Sequence, residues 1–264
     1  MNYDQIIPRE NFKSRGRDIG NRKLIVAVSG KNDRFGSQYS AQISGFVFAR
    51  RYGFIYRFSP FFGDKDSTMA SEFCGLKSDE EDDTTIEPDV FFHRKCSQAY
   101  GNIKEFFTKS AIEELRQMYH QSSKPEAIKC DVAVHIRRGD VGCIDVWGKK
   151  NADGTPYRHW LQRYDDNEYY KKAIEQIRKA HGKDVKICIF SQGRNEEFSD
   201  LIDEYITLHL NGDWRVAYHS MVKAPILVTS ISEFSWTAGI LSIGTVYANK
   251  RMYFNKLDHW KEIN

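Results

Sequence analysis

The stretch VAVHIRRGDV, residues 132–141, gathers four side chains able to do chemistry: His135, Arg137, Arg138 and Asp140. Val132, Val134 and Ile136 alternate with Ala133 and His135, the period of a strand with a buried face. That strand runs straight into two arginines, a glycine and an aspartate. A guanidinium is almost never fully buried unless it is paired, so an anion is expected at the strand's end. Arg137 and Arg138 could instead be structural partners of the acids between residues 79 and 89. His135 shares a strand face with Arg137; it either orients that arginine and touches the anion, or is a satisfied core histidine. Asp140 either holds Arg138 or has a catalytic or positioning role.

These residues need elements to position them. KLIVAVSG (23–30) reads as a buried strand. After the turn KNDRFG, the stretch SQYSAQISGFVFARRYG sets Tyr39, Ile43, Phe46, Val47 and Arg50 at helical spacing, with Gly53 as the stop. FIYRF is the next strand, so the chain opens as a βαβ unit. Residues 63–90 read as a surface loop, and SDEEDDTTIEPD within it as a solvated run of acids. SAIEELRQMY is a helix opened by a capping box of Ser110 and Glu113. The polar, proline-bearing QSSKPEA is the best boundary, giving one lobe over 1–126 and a second over 127–264.

Past that boundary strands and helices alternate. The strand at 131–137 leads into the polar loop GKKNADGTPYRHW and then the helix NEYYKKAIEQIRKAHG, capped by Asp165 or Asp166 and ended by Gly182. Strand VKICIF, helix EEFSDLIDEY, strand ITLHL, helix DWRVAYHSMVKA, strand PILVTS, helix FSWTAGILS and strand TVYA follow. The pattern predicts an α/β fold with mainly parallel sheets covered on both faces. Ligands of such sheets bind at the carboxyl ends of the strands. There the sequence places Ser29, Gly30 and the DRFGSQ turn, then Arg137 to Asp140, then Ser191-Gln192-Gly193, then the run from Thr229 to Ser235. Forked guanidinium donors, backbone amides and hydroxyls at one rim are what a pyrophosphate needs. Trp147, Tyr157, His159 and Trp160, just after the arginines, either stack on a sugar or fold onto the protein.

The bulk numbers narrow the classes. The 264 residues carry a formal net charge of only +3, with 41% hydrophobic and 28% charged residues. That is a globular composition, too weakly basic for a nucleic-acid binder driven by its global field. No stretch has the length of a membrane span, and the N-terminal twenty residues lack a secretory h-region, so a cytoplasmic location is expected. The five cysteines, Cys74, Cys96, Cys130, Cys143 and Cys188, are widely spaced and read as reduced thiols. The acidic run is read as a solvated face, not a metal site. There is no Gly-x-x-x-x-Gly-Lys-Ser/Thr loop, which argues against a P-loop NTPase.

Three short motifs, in order across residues 27–242, resemble the fucosyltransferase superfamily of α1,2-, α1,6- and protein O-fucosyltransferases. HIRRGD matches a His-x-Arg-Arg-x-Asp motif. DRFGSQ resembles a Gly-Arg-Phe-Gly-Asn-Gln turn, with Ser37 in place of asparagine. VTSISEFSWTAGILS resembles a Ser-Ser-Phe-Ser/Thr turn entering a helix, with Glu233 in place of a serine. The chain is similar to the compact cytosolic forms of microbes, algae and algal viruses. The resemblance implies a GT-B architecture of two Rossmann-like lobes, the donor held mainly by the second, and no required metal or other cofactor. It implies that Arg137 binds the donor's β-phosphate, that Ser232, Phe234 and Ser235 cradle the pyrophosphate, and that Arg34, Phe35, Gly36 and Ser37 face the donor from the first lobe. His135, Arg138, Ser191 and Glu233 complete the expected donor site.

The expected reaction is inverting transfer of a sugar, by default L-fucose from GDP-fucose, to a hydroxyl of an oligosaccharide or glycoprotein glycan. Asp140 is the first candidate for general base, with Asp145 and Glu72 behind it. The alternatives are another donor such as UDP-xylose, a non-catalytic nucleotide- or glycan-binding module, and a sulfotransferase taking an adenosine bisphosphate. No nucleic-acid partner is expected.

Overall fold

A computed structural model describes residues 22–29, 33–61, 66–93, 103–139, 141, 163–252 and 256–263. The chain divides into two compact units, Met1–Ser123 and Lys124–Asn264.

In the first unit, β1 (Ile25–Ser29) leads to α1 (Phe35–Tyr52) and β2 (Ile55–Arg57). After α2 (Ser67–Cys74) and β3 (Val90–His93), the short α3 (Ile103–Phe106) and α4 (Lys109–Gln121) close the unit. The sheet is parallel with order β2-β1-β3. Thus the carboxyl end of β1, where DRFGSQ begins, lies where the chain changes direction across the sheet. Helix α1 stops at Gly53, whose φ of 67° is the left-handed conformation that glycine adopts without strain. Almost every residue of α1 is buried, polar ones included. They survive there because each is satisfied: Ser44 donates to the Ser40 carbonyl, and Gln42 accepts from the Tyr56 hydroxyl at 2.6 Å.

Three expectations for this unit are corrected. The segment 63–90 is not all loop, since it contains α2 and runs into β3. Its acids are not merely solvated either: Asp79 pairs with Arg50, Asp82 with Arg57, and the fully buried Asp89 with Arg22. Asp89 also accepts from the Ile25 amide, so the acidic run is strapped across the sheet by arginines of the same unit. Helix α4 is capped by Thr108, which accepts from the Ala111 amide, instead of by a Ser110–Glu113 box.

The second unit contains β4 (Val132–His135), α5 (Asn167–His181), β5 (Ile187–Ser191), β6 (Ile206–Leu210), α6 (Trp214–Lys223), β7 (Ile226–Val228), α7 (Glu233–Leu241), β8 (Thr245–Ala248) and β9 (Lys261–Glu262). All strand pairs are parallel, in the order β6-β5-β4-β7-β8-β9. The chain builds outward from β4 to β6, returns to the other side of β4 with β7, and continues outward. This is the doubly wound order, and its switch point lies between β4 and β7. Helix α5 turns Tyr170, Ala173, Ile174 and Ile177 inward at spacings of three and four, onto Val132, Val134 and Ile136. Its cap is Asp166, which accepts from the Tyr169 amide. The helix expected over EEFSDLIDEY is only a 3-10 turn, Asn195–Phe198. Its acids are engaged elsewhere: Glu197 accepts from the Arg194 amide, and Asp203 pairs with Arg178 of α5. Among the described residues, no helix is long and apolar enough to cross a membrane.

Candidate functional site

The two arginines after β4 part company. Strand alternation continues past the last paired residue, so residues 133, 135 and 137 share one face while 134, 136 and 138 share the other. Arg137 turns toward the β7–α7 junction, where its Nη1 donates to Ser232 Oγ at 3.2 Å. Arg138 turns toward α5 and is buried, 3% exposed. Its Nη1 donates to the Asp165 carbonyl at 2.8 Å and the Arg137 carbonyl at 3.1 Å, and its Nη2 to Asn167 Oδ1 at 2.8 Å. The Tyr164 ring lies 4.2 Å from its guanidinium carbon. Of the acids at 79–89, Asp79 pairs with Arg50, Asp82 with Arg57 and Asp89 with Arg22.

The junction after β7 is built from hydroxyls. Ser232 caps α7 by accepting from the Phe234 amide at 3.3 Å, and the same oxygen takes the Arg137 donor. Ser230 Oγ meets His135 Nδ1 at 2.7 Å. Ser235 Oγ accepts from the Ser230 amide at 3.2 Å. Ser230, Ser232 and Ser235 are all fully buried, so these bonds set the turn rigidly. The Phe234 ring packs on His135 with centroids 5.4 Å apart and on Tyr218 at 5.2 Å. Burial, and then the charge on Arg137, push the His135 imidazole down to about 3. The histidine is therefore a neutral hydrogen-bonding group at neutral pH, and the positive charge on this face belongs to Arg137.

The electrostatics of the junction are unusual. A helix N-terminus carries partial positive charge and unpaired amides. Here a guanidinium is tethered to that same end through the capping serine. Glu233, half-buried in the first turn, complements the helix dipole, so the acid found in place of the resembling motif's serine has a local role. The arrangement remains one that an anion would stabilise.

The neighbouring strand ends complete the rim. Ser191 donates to the Ile136 carbonyl at 2.7 Å and so braces the end of β5 against the end of β4. Gly139 has a φ of 71°, and a Cβ there would meet Gln192 Oε1 at 2.7 Å. Sequence reasoning listed Gln192 and Ser230 at the rim by their strand-end position but gave neither a role. It also passed over Asn249, which follows β8 and donates to Asp165 Oδ2 at 2.6 Å. A polar residue one step past a predicted strand in such a sheet is the signal that could have found it.

In the first unit, Arg34 is exposed at the cap position of α1, and its carbonyl accepts from the Ser37 and Gln38 amides. Ser37 Oγ donates to Asp33 at 3.1 Å. Gly36 is buried in the first turn, and Phe35 is buried against Tyr39, Phe61 and Phe73. Phe35 thus anchors the turn in the core. Glu72 is exposed on α2. Asp140, Asp145, Trp147, Tyr157, His159 and Trp160 lie outside the described residues.

No family model matches the chain. No curated protein matches it either. Among solved structures, it is similar to an arginine-to-lysine mutant of Arabidopsis thaliana FUT1 in complex with GDP, at 10% identity and a TM-score of 0.45, covering 92% of this chain and 73% of that one. It is also similar to POFUT1 in complex with GDP, at 14% identity and a TM-score of 0.30, covering 84% of this chain and 74% of that one. Likenesses this loose carry no argument, and the functional reading rests on the rim itself.

Proposed function

We propose that the second unit binds a nucleoside diphosphate at the switch point between β4 and β7, and that the protein is a glycosyltransferase using a nucleotide sugar. The observation that carries this is Arg137 tethered to the α7 N-terminus through Ser232 at 3.2 Å, at the carboxyl rim of a doubly wound sheet. A diphosphate offers the oxygens that such a cradle requires, and a sugar leaving it develops negative charge there. A preorganised guanidinium and helix amides stabilise that charge without reorganising. In this reading an acceptor hydroxyl attacks the anomeric carbon, the bond to the diphosphate breaks, and the acceptor's proton passes to a carboxylate. Asp140 is the proposed base. The three-motif resemblance supports GDP-fucose as donor, a glycan as acceptor, and turnover without a metal.

The test is incubation with GDP-fucose and a glycan acceptor mixture in the presence of a chelator, following GDP release. Steady release coupled to fucosylated product is expected. Arg137→Ala is expected to slow it at least about 100-fold, the scale of losing one preorganised charge-stabilising donor. Near-wild-type turnover in a folded Arg137→Ala protein would remove the role given to Arg137.

A further inference from the structure

The second arginine of the pair belongs to a different network from the first. Asn167, which receives Arg138 Nη2, passes its own amide to the Glu197 carbonyl at 2.8 Å and to Asp200 Oδ1 at 2.6 Å. Asp165, whose carbonyl receives Arg138 Nη1, directs its carboxylate to Arg251 at 2.8 Å and to Asn249 at 2.6 Å. The Asn249 backbone N–H in turn donates to Thr229 Oγ1 at 3.4 Å. Arg138 therefore sits at the centre of a polar clamp joining the segments that follow β4, β5, β7 and β8. Those segments form the rim where Arg137 lies. The Tyr164, Phe198 and Tyr170 rings lie 4.2, 5.9 and 6.0 Å from the Arg138 guanidinium carbon.

We propose that Arg138 is a positioning residue that never contacts the bound anion: by gripping the Arg137 carbonyl and clamping the four strand ends, it fixes the place and direction of the Arg137 guanidinium. This replaces its expected part in donor binding and rests on the nucleotide reading of the rim. The physical case is one of valence and burial. Three of its hydrogen bonds go to two backbone carbonyls and an amide oxygen, and at 3% exposure the side chain cannot swing out to a ligand without abandoning them. Lysine keeps the charge but lacks the planar fork, so it cannot hold these three acceptors together.

The test is a double-mutant cycle on GDP binding by calorimetry, using wild type, Arg138→Lys, Arg137→Ala and the double variant. Arg138→Lys is expected to weaken GDP about tenfold in the wild-type background and to have no further effect once Arg137 is gone. Asn167→Ala, at the perimeter of the clamp, is expected to weaken GDP in the same direction and also only while Arg137 is present. Losses that add in the double variant would mean that Arg138 contacts the nucleotide, and would overturn the proposal. A second arm needs no nucleotide: the side-chain Nε–Hε resonance of Arg137, assigned by its loss in Arg137→Ala, should shift or broaden in Arg138→Lys and in Asn167→Ala. An unmoved resonance would overturn the proposal. Failure of the wild type to bind GDP would remove the nucleotide reading and leave this arm to decide on Arg138.

Discussion

Acidification should weaken the second unit through one identifiable group. His135 is held neutral by burial and by Arg137, with its pKa pushed down to about 3. In the unfolded chain a histidine titrates near 6.5. Between those values the unfolded state binds a proton that the native state refuses. Stability is therefore full above the unfolded value and is lost as pH falls through the window toward 3. From pH 7 to pH 5 the linkage amounts to about 2 kcal/mol from this residue alone. The assay is urea unfolding followed by tryptophan fluorescence, which reports the second unit because Trp147, Trp160, Trp214, Trp236 and Trp260 all lie in it. The comparison is His135→Asn, which places a polar atom near Ser230 without a titrating ring. Wild type should lose about 2 kcal/mol more than the variant over that interval. Parallel losses in the two proteins would mean that His135 titrates normally, and the claim that Arg137 alone supplies the charge on this face would fall.

Two further predictions concern the first unit. Gly53 and Gly75 both have left-handed backbone, at φ of 67° and 76°, but a Cβ at Gly53 meets nothing within 4 Å whereas one at Gly75 would lie 2.3 Å from the Met118 carbonyl oxygen. Gly53→Ala should cost about 1 kcal/mol, the backbone strain alone, and Gly75→Ala clearly more in the same thermal denaturation; equal costs would contradict the packing of α2 against α4. Asp89→Asn leaves Arg22 without its bidentate partner and should lower stability by about 1–2 kcal/mol, measured by circular dichroism; a neutral substitution would show that the buried carboxylate does not strap β3 to the rest of the sheet.

The second unit was legible in sequence wherever local pattern and tertiary role coincide. Short apolar, β-branched runs such as ICIF and ILV, each followed by a hydroxyl residue, read as buried strands, and their order gives the rim. Arg137 and Ser232 stand two residues past β4 and four past β7, so strand order alone puts both at the rim. The side to which Arg138 turns was not legible, because adjacent residues past a strand face opposite ways and only the fold shows which way each goes. The clamp it belongs to contains contacts between residues up to 86 positions apart, Asp165 with Arg251, and no local pattern reports such a contact. EEFSDLIDEY has helical composition, but Glu197 and Asp203 are engaged in capping and pairing that hold the chain in one short turn. The acidic run of 78–89 looked solvated for a related reason: its arginine partners lie in α1, β2 and at the start of β1, far away in sequence.

The central claim is that Arg137 and the α7 N-terminus hold a nucleoside diphosphate. The most direct measurement is calorimetric titration of wild type and Arg137→Ala with GDP and with UDP, in chelator. The account predicts binding of GDP in preference to UDP by the wild type and GDP binding at least about tenfold weaker, but still measurable, in Arg137→Ala. A wild type that binds neither nucleotide, or an Arg137→Ala protein that binds GDP as tightly as wild type, would contradict it.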